Sequence, residues 1–172
     1  MKKIKSEVTD KETLKFIFRL LTPANALVME LAYTTGLRLG DCLKIKRADF
    51  RQNMTIIEEK TKKKKKIHIN KALFVKLSAY ADNSSKSAFL FPHRFDEKKH
   101  RTRQAVWYDV RRAAKALRCR EHISPHSARK MYAVMLLHKG YSISQIKQKL
   151  NHDNEAVTII YIMSELMKKN KF

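Results

Sequence analysis

Apolar residues recur at helical spacing along almost the whole chain, and only the stretch from Met54 to Asn70 has an extended character. Helices are therefore the main building material, with room for one strand pair. Asp10 is placed to cap a helix beginning near Lys11, with Leu14, Ile17, Phe18 and Leu21 on one face. Thr22 and Pro23 stop that helix and start the next, which runs to about Thr35. Gly36 suits a left-handed cap there, so the chain turns sharply and sets Arg38 at the head of a short helix containing Leu43 and Ile45. Met54 to Glu58 and Ile67 to Asn70 are expected to pair as a hairpin across a lysine-rich tip, Lys60 to Lys66. Helical patterning resumes from Lys71 to about Ala81. A polar loop then leads to Phe89, Leu90, Phe91 and Pro92, and a helix is expected around Thr102 to Leu117. After Ser124 and Pro125 a helix carries His126 to His138 and ends at Gly140. Shorter helices are expected over Ser142 to Leu150 and Asn154 to about Lys168. The fold class that follows is α+β, mainly α-helical, with one small antiparallel sheet.

Charge narrows the partner. The 172 residues hold 38 Lys plus Arg against 16 Asp plus Glu, a formal charge of +22, which calls for a polyanion. Nucleic acid is the leading candidate. A membrane surface is the competitor, but no apolar run approaches the roughly 20 residues of a spanning helix, and the N-terminus lacks a signal peptide's apolar stretch. The expectation is a soluble, intracellular, DNA-associated protein. Cys42 and Cys119 are far apart and outside any CxxC spacing, so buried thiols are expected rather than a disulfide or zinc site. With 44% hydrophobic residues and only three Gly and three Pro, the chain reads as a single domain over 1–172.

Four separated pieces then suggest a reaction. His126 and Arg129 lie three apart on one helix and share a face, so an imidazole and a guanidinium can meet at one phosphate. With Arg38 they could clamp nonbridging oxygens and balance the charge that grows on a pentacoordinate phosphorus, with no metal required. Tyr161 could supply the attacking oxygen. Its phenol, with a usual pKa near 10, needs a base or a strongly cationic setting, and His126 is the candidate base. The leaving 5′ oxygen needs a proton, which a lysine on a mobile hairpin tip could give; Lys60 is the choice, with Lys62 close behind. Lys62, Lys63, Lys64, Lys65, Lys66, Arg101 and Arg103 are expected DNA contacts. Taken singly, each residue has a plainer explanation. An arginine in a basic chain is ordinarily solvated, Tyr161 among Ile159, Ile160 and Ile162 is ordinarily core, His152 can simply begin a helix, and a lysine run is ordinarily a solvated cluster. The joint order and spacing overturn those readings.

At these residues the chain resembles the catalytic domain of the tyrosine recombinase, or phage integrase, family. Thr35-Gly36-Leu37-Arg38-Leu39-Gly40-Asp41 resembles the first arginine box, which implies a catalytic Arg38 with Asp41 as its supporting acid where the family more often has Glu. Lys60-Thr61 before a basic hairpin is similar to the catalytic lysine turn, although the extra lysines leave Lys62 in play. Ser124-Pro125-His126-Ser127-Ala128-Arg129 resembles the second box, and Leu90-Phe91-Pro92 an upstream landmark. Leu150-Asn151-His152 departs from the usual Leu-Gly-His at its middle residue, but Asn also tolerates left-handed backbone, so His152 keeps its assignment. Tyr161 follows His152 at the family's separation, with Thr158 before it.

The resemblance implies the tyrosine recombinase catalytic-domain fold and site-specific cutting and rejoining of DNA through a 3′-phosphotyrosyl intermediate, without cofactor or metal. It implies four protomers on two recombining sites, and a basic tail over 163–172 that could dock on a neighbouring protomer. It also implies an N-terminal DNA-clamping domain, absent from this sequence, which then reads either as a fragment of a longer integrase or as a short stand-alone recombinase; without that arm weak, strongly salt-dependent binding is expected. Two other functions fit the same residues: a type IB topoisomerase-like nicking and closing activity, and a catalytically silent DNA-binding module.

Overall fold

A computed structural model describes residues 10–83 and 87–151. The expected helix from Asn154, the basic tail, His152 and Tyr161 lie outside the described residues. Within them the elements run α1 (Lys11–Leu20), α2 (Pro23–Thr35), α3 (Leu39–Leu43), a short 3-10 turn (Arg47–Asp49), β1 (Asn53–Ile57), β2 (Lys64–His68), α4 (Lys71–Asn83), α5 (Arg103–Ala116), α6 (Pro125–His138) and α7 (Ile143–Leu150). Helix boundaries follow local chemistry. The Asp10 carboxylate accepts from the Thr13 amide at 2.8 Å, Pro23 occupies the first turn of α2, and Thr102 and Ser142 cap α5 and α7. No helix among the described residues is long and apolar enough to cross a membrane.

The core is built around α2 and α6, which pack against each other. Val28, Met29, Leu31 and Ala32 of α2 are fully buried and join Leu37, Leu43, Leu73, Leu77, Leu90, Phe91, Val106 and Val110 in the main cluster. A second cluster, Tyr132, Ala133, Leu136, Ile146 and Leu150, fastens α7 to α6. Because α6 is covered on nearly every side, whatever polar group it carries inward is held without slack. A polar rivet joins α5 to the α1–α2 corner. Asp109 accepts from the Thr22 amide at 2.8 Å, the Thr22 hydroxyl at 3.0 Å, Asn25 at 2.8 Å and the Arg112 guanidinium. Burial alone would raise the Asp109 carboxyl, and these donors hold it below the usual carboxylate range instead.

The hairpin forms, but not with the expected division of its lysines. Met54 pairs with Ile67 and Ile57 with Lys64, so half of the lysine run is strand rather than tip. The turn closes early: the Lys62 amide donates to the Glu58 carbonyl at 2.9 Å, and the Glu58 amide to the Lys63 carbonyl at 3.0 Å, with Lys62 at φ +56°. Lys65, Ile67 and Ile69 fall on the inward parity of this stretch and are buried, while Lys64, Lys66 and His68 face out. Of the two cysteines, Cys42 is buried as expected and Cys119 is half-buried.

Gly36 decides the corner between α2 and Arg38. It adopts φ +65°, and a Cβ added there would lie 2.3 Å from the Tyr132 ring. Left-handed strain and ring overlap therefore act together against any side chain. Gly36→Ala should cost about 2–4 kcal/mol of unfolding free energy, measured by urea denaturation, whereas alanine at Gly140, where nothing lies within 4 Å, should cost only the backbone strain.

Candidate active site

Three segments distant in sequence meet at one buried carboxylate. Arg38 is the N-cap residue of α3, held in extended geometry just beyond the Gly36 turn, and its side chain is only partly exposed. Arg129 sits one turn into α6, behind a capping box in which Ser124 and Ser127 satisfy each other's amides. Its guanidinium donates to the Gly36 carbonyl at 2.5 Å and to the Leu150 carbonyl, so it pins the ends of α2 and α7 to α6. Both arginines face the Glu58 carboxylate, Arg38 at 3.0 Å and Arg129 at 3.6 Å. Glu58 is 0% exposed and Arg129 is 1% exposed, so this charge cluster lies beneath the surface. Burial pushes the Glu58 carboxyl up, but Asn151, the Thr61 hydroxyl and the two guanidiniums outweigh it and hold it below the ordinary carboxylate value.

Above the cluster is an open cleft of about 390 Å³, lined by Arg38, Arg129, His126, Arg103, Gln104 and Trp107 among others. The expected trio of Arg38, His126 and Arg129 is thus brought together on one wall. His126 stands at the rim, exposed by area yet crowded by protein below. That crowding, with the charges of Arg129, Lys130, Arg38 and Lys60, pushes its pKa down to about 4. The imidazole is neutral at pH 7 and can accept a proton. A phosphate entering the cleft would partly cancel the surrounding positive charge and raise its basicity.

The lysine turn is tied to the same site. Asp41 of α3, 5% exposed, accepts from the Glu59 amide at 2.9 Å, so the acid beside Arg38 holds the base of the turn. The Thr61 hydroxyl donates to Glu58 at 2.9 Å. Lys60 and Lys62 are both exposed, but their charges act on different neighbours, Lys60 on His126 and Lys62 on Glu59. Arg103 folds over Gly40 to meet Glu59 at 2.9 Å, and Lys44 meets the other oxygen of that carboxylate at 2.8 Å. Arg101 is half-buried, with its amide on the Phe91 carbonyl at 2.8 Å.

Two residues of the site escape a reading by motif. Glu58 is one of few acids in a chain of +22, but only the register shows that it points inward. Lys65 was expected among the solvated DNA contacts and is instead 7% exposed, with its ammonium 5.8 Å from the centre of the Tyr132 ring. The physical reason is strand parity, which Ile67 and Ile69 already mark: Lys65 takes the inward place two residues before them. Burial above all, then the nearby Arg129 charge, lowers its pKa to about 7, against the opposing pull of Glu58. Lys62, Lys63, Lys64 and Lys66 stay on the surface.

At the end of α7, Asn151 takes left-handed geometry, φ 49° and ψ 44°. His152 and Tyr161 themselves fall beyond the described residues.

The model of the phage integrase family matches residues 8–166. Tyrosine recombinase XerA of Pyrococcus horikoshii is 27% identical over 165 residues, covering 93% of this chain and 57% of the relative. The chain spans about half the length of the curated relatives it matches. Among solved structures, a XerA recombinase superposes with a TM-score of 0.76 at 17% identity, covering 96% of this chain and 66% of the other. A lambda integrase dimer bound to a COC′ core site gives 0.72 at 22%, covering 94% and 49%. At these identities the superpositions establish the fold: a mainly helical tyrosine recombinase catalytic domain with a small antiparallel sheet.

Lys65 supplies a direct check on the buried charge cluster. Its folded pKa lies below the unfolded value near 10.4, so the unfolded chain holds the extra proton between about pH 7 and 10. Stability should therefore rise through that window, and the penalty should be fully present below it. Lys65→Met should stabilise the fold at pH 7 by on the order of 3 kcal/mol and flatten the alkaline rise, as followed by denaturation across pH.

Proposed function

The chain belongs to the phage integrase family, and on that premise we propose that it breaks and rejoins DNA at specific sites through Tyr161. The observation that carries the reading is the meeting of Arg38 and Arg129 on one wall of a cleft, with a neutral His126 beside them. Two fixed guanidiniums provide paired donors for the nonbridging oxygens of a phosphodiester, and they stabilise the transition state more than the ground state because its charge is larger.

The bonds balance as follows. The Tyr161 phenol oxygen forms a bond to phosphorus as the bond from phosphorus to the 5′ oxygen breaks. The phenol proton passes to His126, and a lysine ammonium gives its proton to the departing 5′ oxygen. Lys60, whose charge is felt at His126, is the proposed donor, with Lys62 close behind. His152, which follows Asn151 in the sequence, is proposed as a further donor to the phosphate. One phosphoester is exchanged for another, so the rejoining step, attack by a 5′ hydroxyl on the 3′-phosphotyrosyl bond, needs no ATP.

Double-stranded DNA is the proposed partner, and four protomers on two sites the proposed working assembly. The charge of +22 and the exposed Lys62, Lys63, Lys64 and Lys66 support DNA binding dominated by phosphate contacts, with affinity falling steeply as salt rises. Residues 1–172 are taken as a catalytic domain.

The test is covalent capture on nicked duplexes with randomised sequence around the nick. The wild-type chain should leave a protease-sensitive protein–DNA adduct on a denaturing gel. Tyr161→Phe should leave none, and Arg129→Lys should slow adduct formation about 10²-fold or more. DNA binding without any adduct would make the chain a silent DNA-binding module. Relaxation of supercoiled plasmid without strand exchange would make it a nicking-closing enzyme.

A further inference from the structure

We infer that Glu58 is the positioning residue of the site, a buried counter-ion that holds both arginines at their spacing and fixes the lysine turn to them. This assignment rests on the reading of Arg38 and Arg129 as the phosphate clamp. Glu58 occupies a position no motif marks, immediately after β1, and does two things at once. Its carboxylate lies 3.0 Å from Arg38 and 3.6 Å from Arg129. Its backbone closes the turn that carries Lys60, through the Lys62 amide at 2.9 Å and the Lys63 carbonyl at 3.0 Å. The second carboxylate oxygen takes the Thr61 hydroxyl at 2.9 Å. One residue thereby joins the group that would protonate the leaving oxygen to the groups that would hold the phosphate.

The location of the carboxylate says how it acts. Glu58 is 0% exposed and does not line the cleft, so it lies behind the guanidiniums while the phosphate would lie in front. It therefore does not compete with DNA. Without it, Arg38 and Arg129 would stand with Lys65 as unbalanced positive charges in a poorly solvated place, and Arg38, the less buried of the two arginines, would swing away from the pinned Arg129. With it, they stand ready at a fixed separation before DNA arrives, which is the arrangement that favours a transition state over a ground state. Its negative charge also weakens the pull of the site on a ground-state phosphate. Removing that charge should consequently affect cutting and binding in opposite senses, a split that a purely structural residue would not produce.

The deciding variants are Glu58→Gln, which keeps the volume and an acceptor for Thr61 but not the charge, and Thr61→Val, which keeps the charge but frees the turn. Both are compared with the wild-type chain on the randomised nicked duplexes. Single-turnover adduct formation is measured alongside DNA affinity and melting temperature. Glu58→Gln should form adduct at least tenfold more slowly while binding DNA as tightly as wild type or more so. Thr61→Val should lose rate on an ordinary phosphodiester and recover it on a 5′-bridging phosphorothiolate, whose sulfur leaves without a proton. Wild-type rates in Glu58→Gln, or parallel loss of affinity and rate in a folded protein, would overturn the inference. If Glu58→Gln does not fold, Glu58→Asp takes its place. It retains the charge on a shorter arm and should cut slowly with unimpaired binding, and full wild-type cutting by it would be the contrary result. Absence of any wild-type adduct would instead overturn the phosphate-clamp reading itself, and this assignment with it.

Discussion

The charged cluster beneath the cleft depends on where one buried guanidinium goes. Arg129 is 1% exposed and always charged, and it reaches the carbonyl of Gly36, the carbonyl of Leu150 and the carboxylate of Glu58. Those contacts join the end of α2, the end of α7 and the base of the hairpin to the first turns of α6. An ion buried this deeply is tolerated only when its donors are met, so each of the three segments is constrained by it in turn. The helix that carries it is covered along its length, which denies the side chain alternative positions.

The same arrangement explains why charge of both signs accumulates beneath an open cleft. Arg38, Arg129 and Lys65 are gathered around Glu58, and the balance is visible in opposite shifts: the carboxyl is held down while the lysine is pushed toward neutrality. Asp41 adds a second tie, from α3 to the start of the lysine turn. Arginine and lysine therefore belong to separate elements but to one electrostatic unit. The Asp109 rivet is built by similar chemistry yet serves the packing of α5 against the α1–α2 corner.

Much of the fold is legible in the sequence because local signals and packing agree. Asp10, Pro23, Gly36, Pro125 and Ser142 each stand where the chain has to start or stop a helix, and the structure uses each of them there. The box around Arg38 and the one around His126 and Arg129 are readable because a turn or helix start displays them. What the sequence hides is direction within the lysine run. Seven basic or hydroxyl-bearing residues in succession carry no apolar period, so the boundary between tip and strand depends on the pairing of Met54 with Ile67, a contact across the hairpin. That pairing turns Lys65 inward and brings Glu58 beneath the arginines, and neither result can be had from spacing alone. Asn151 shows the reverse case: a departure from the family's glycine that leaves the backbone geometry intact, since asparagine accepts φ 49° at modest cost.

The two strands of the hairpin form a sheet of their own among the described residues, so each leaves one edge unpaired. A bare edge of this kind is an invitation for another extended chain to add on. Here the outward places of β2 are Lys64, Lys66 and His68, and the turn beside them holds Lys62 and Lys63, so an approaching strand of the same protein meets a row of like charge. The cationic ridge thus doubles as a guard against edge-to-edge aggregation, keeping copies of a strongly basic chain apart in water.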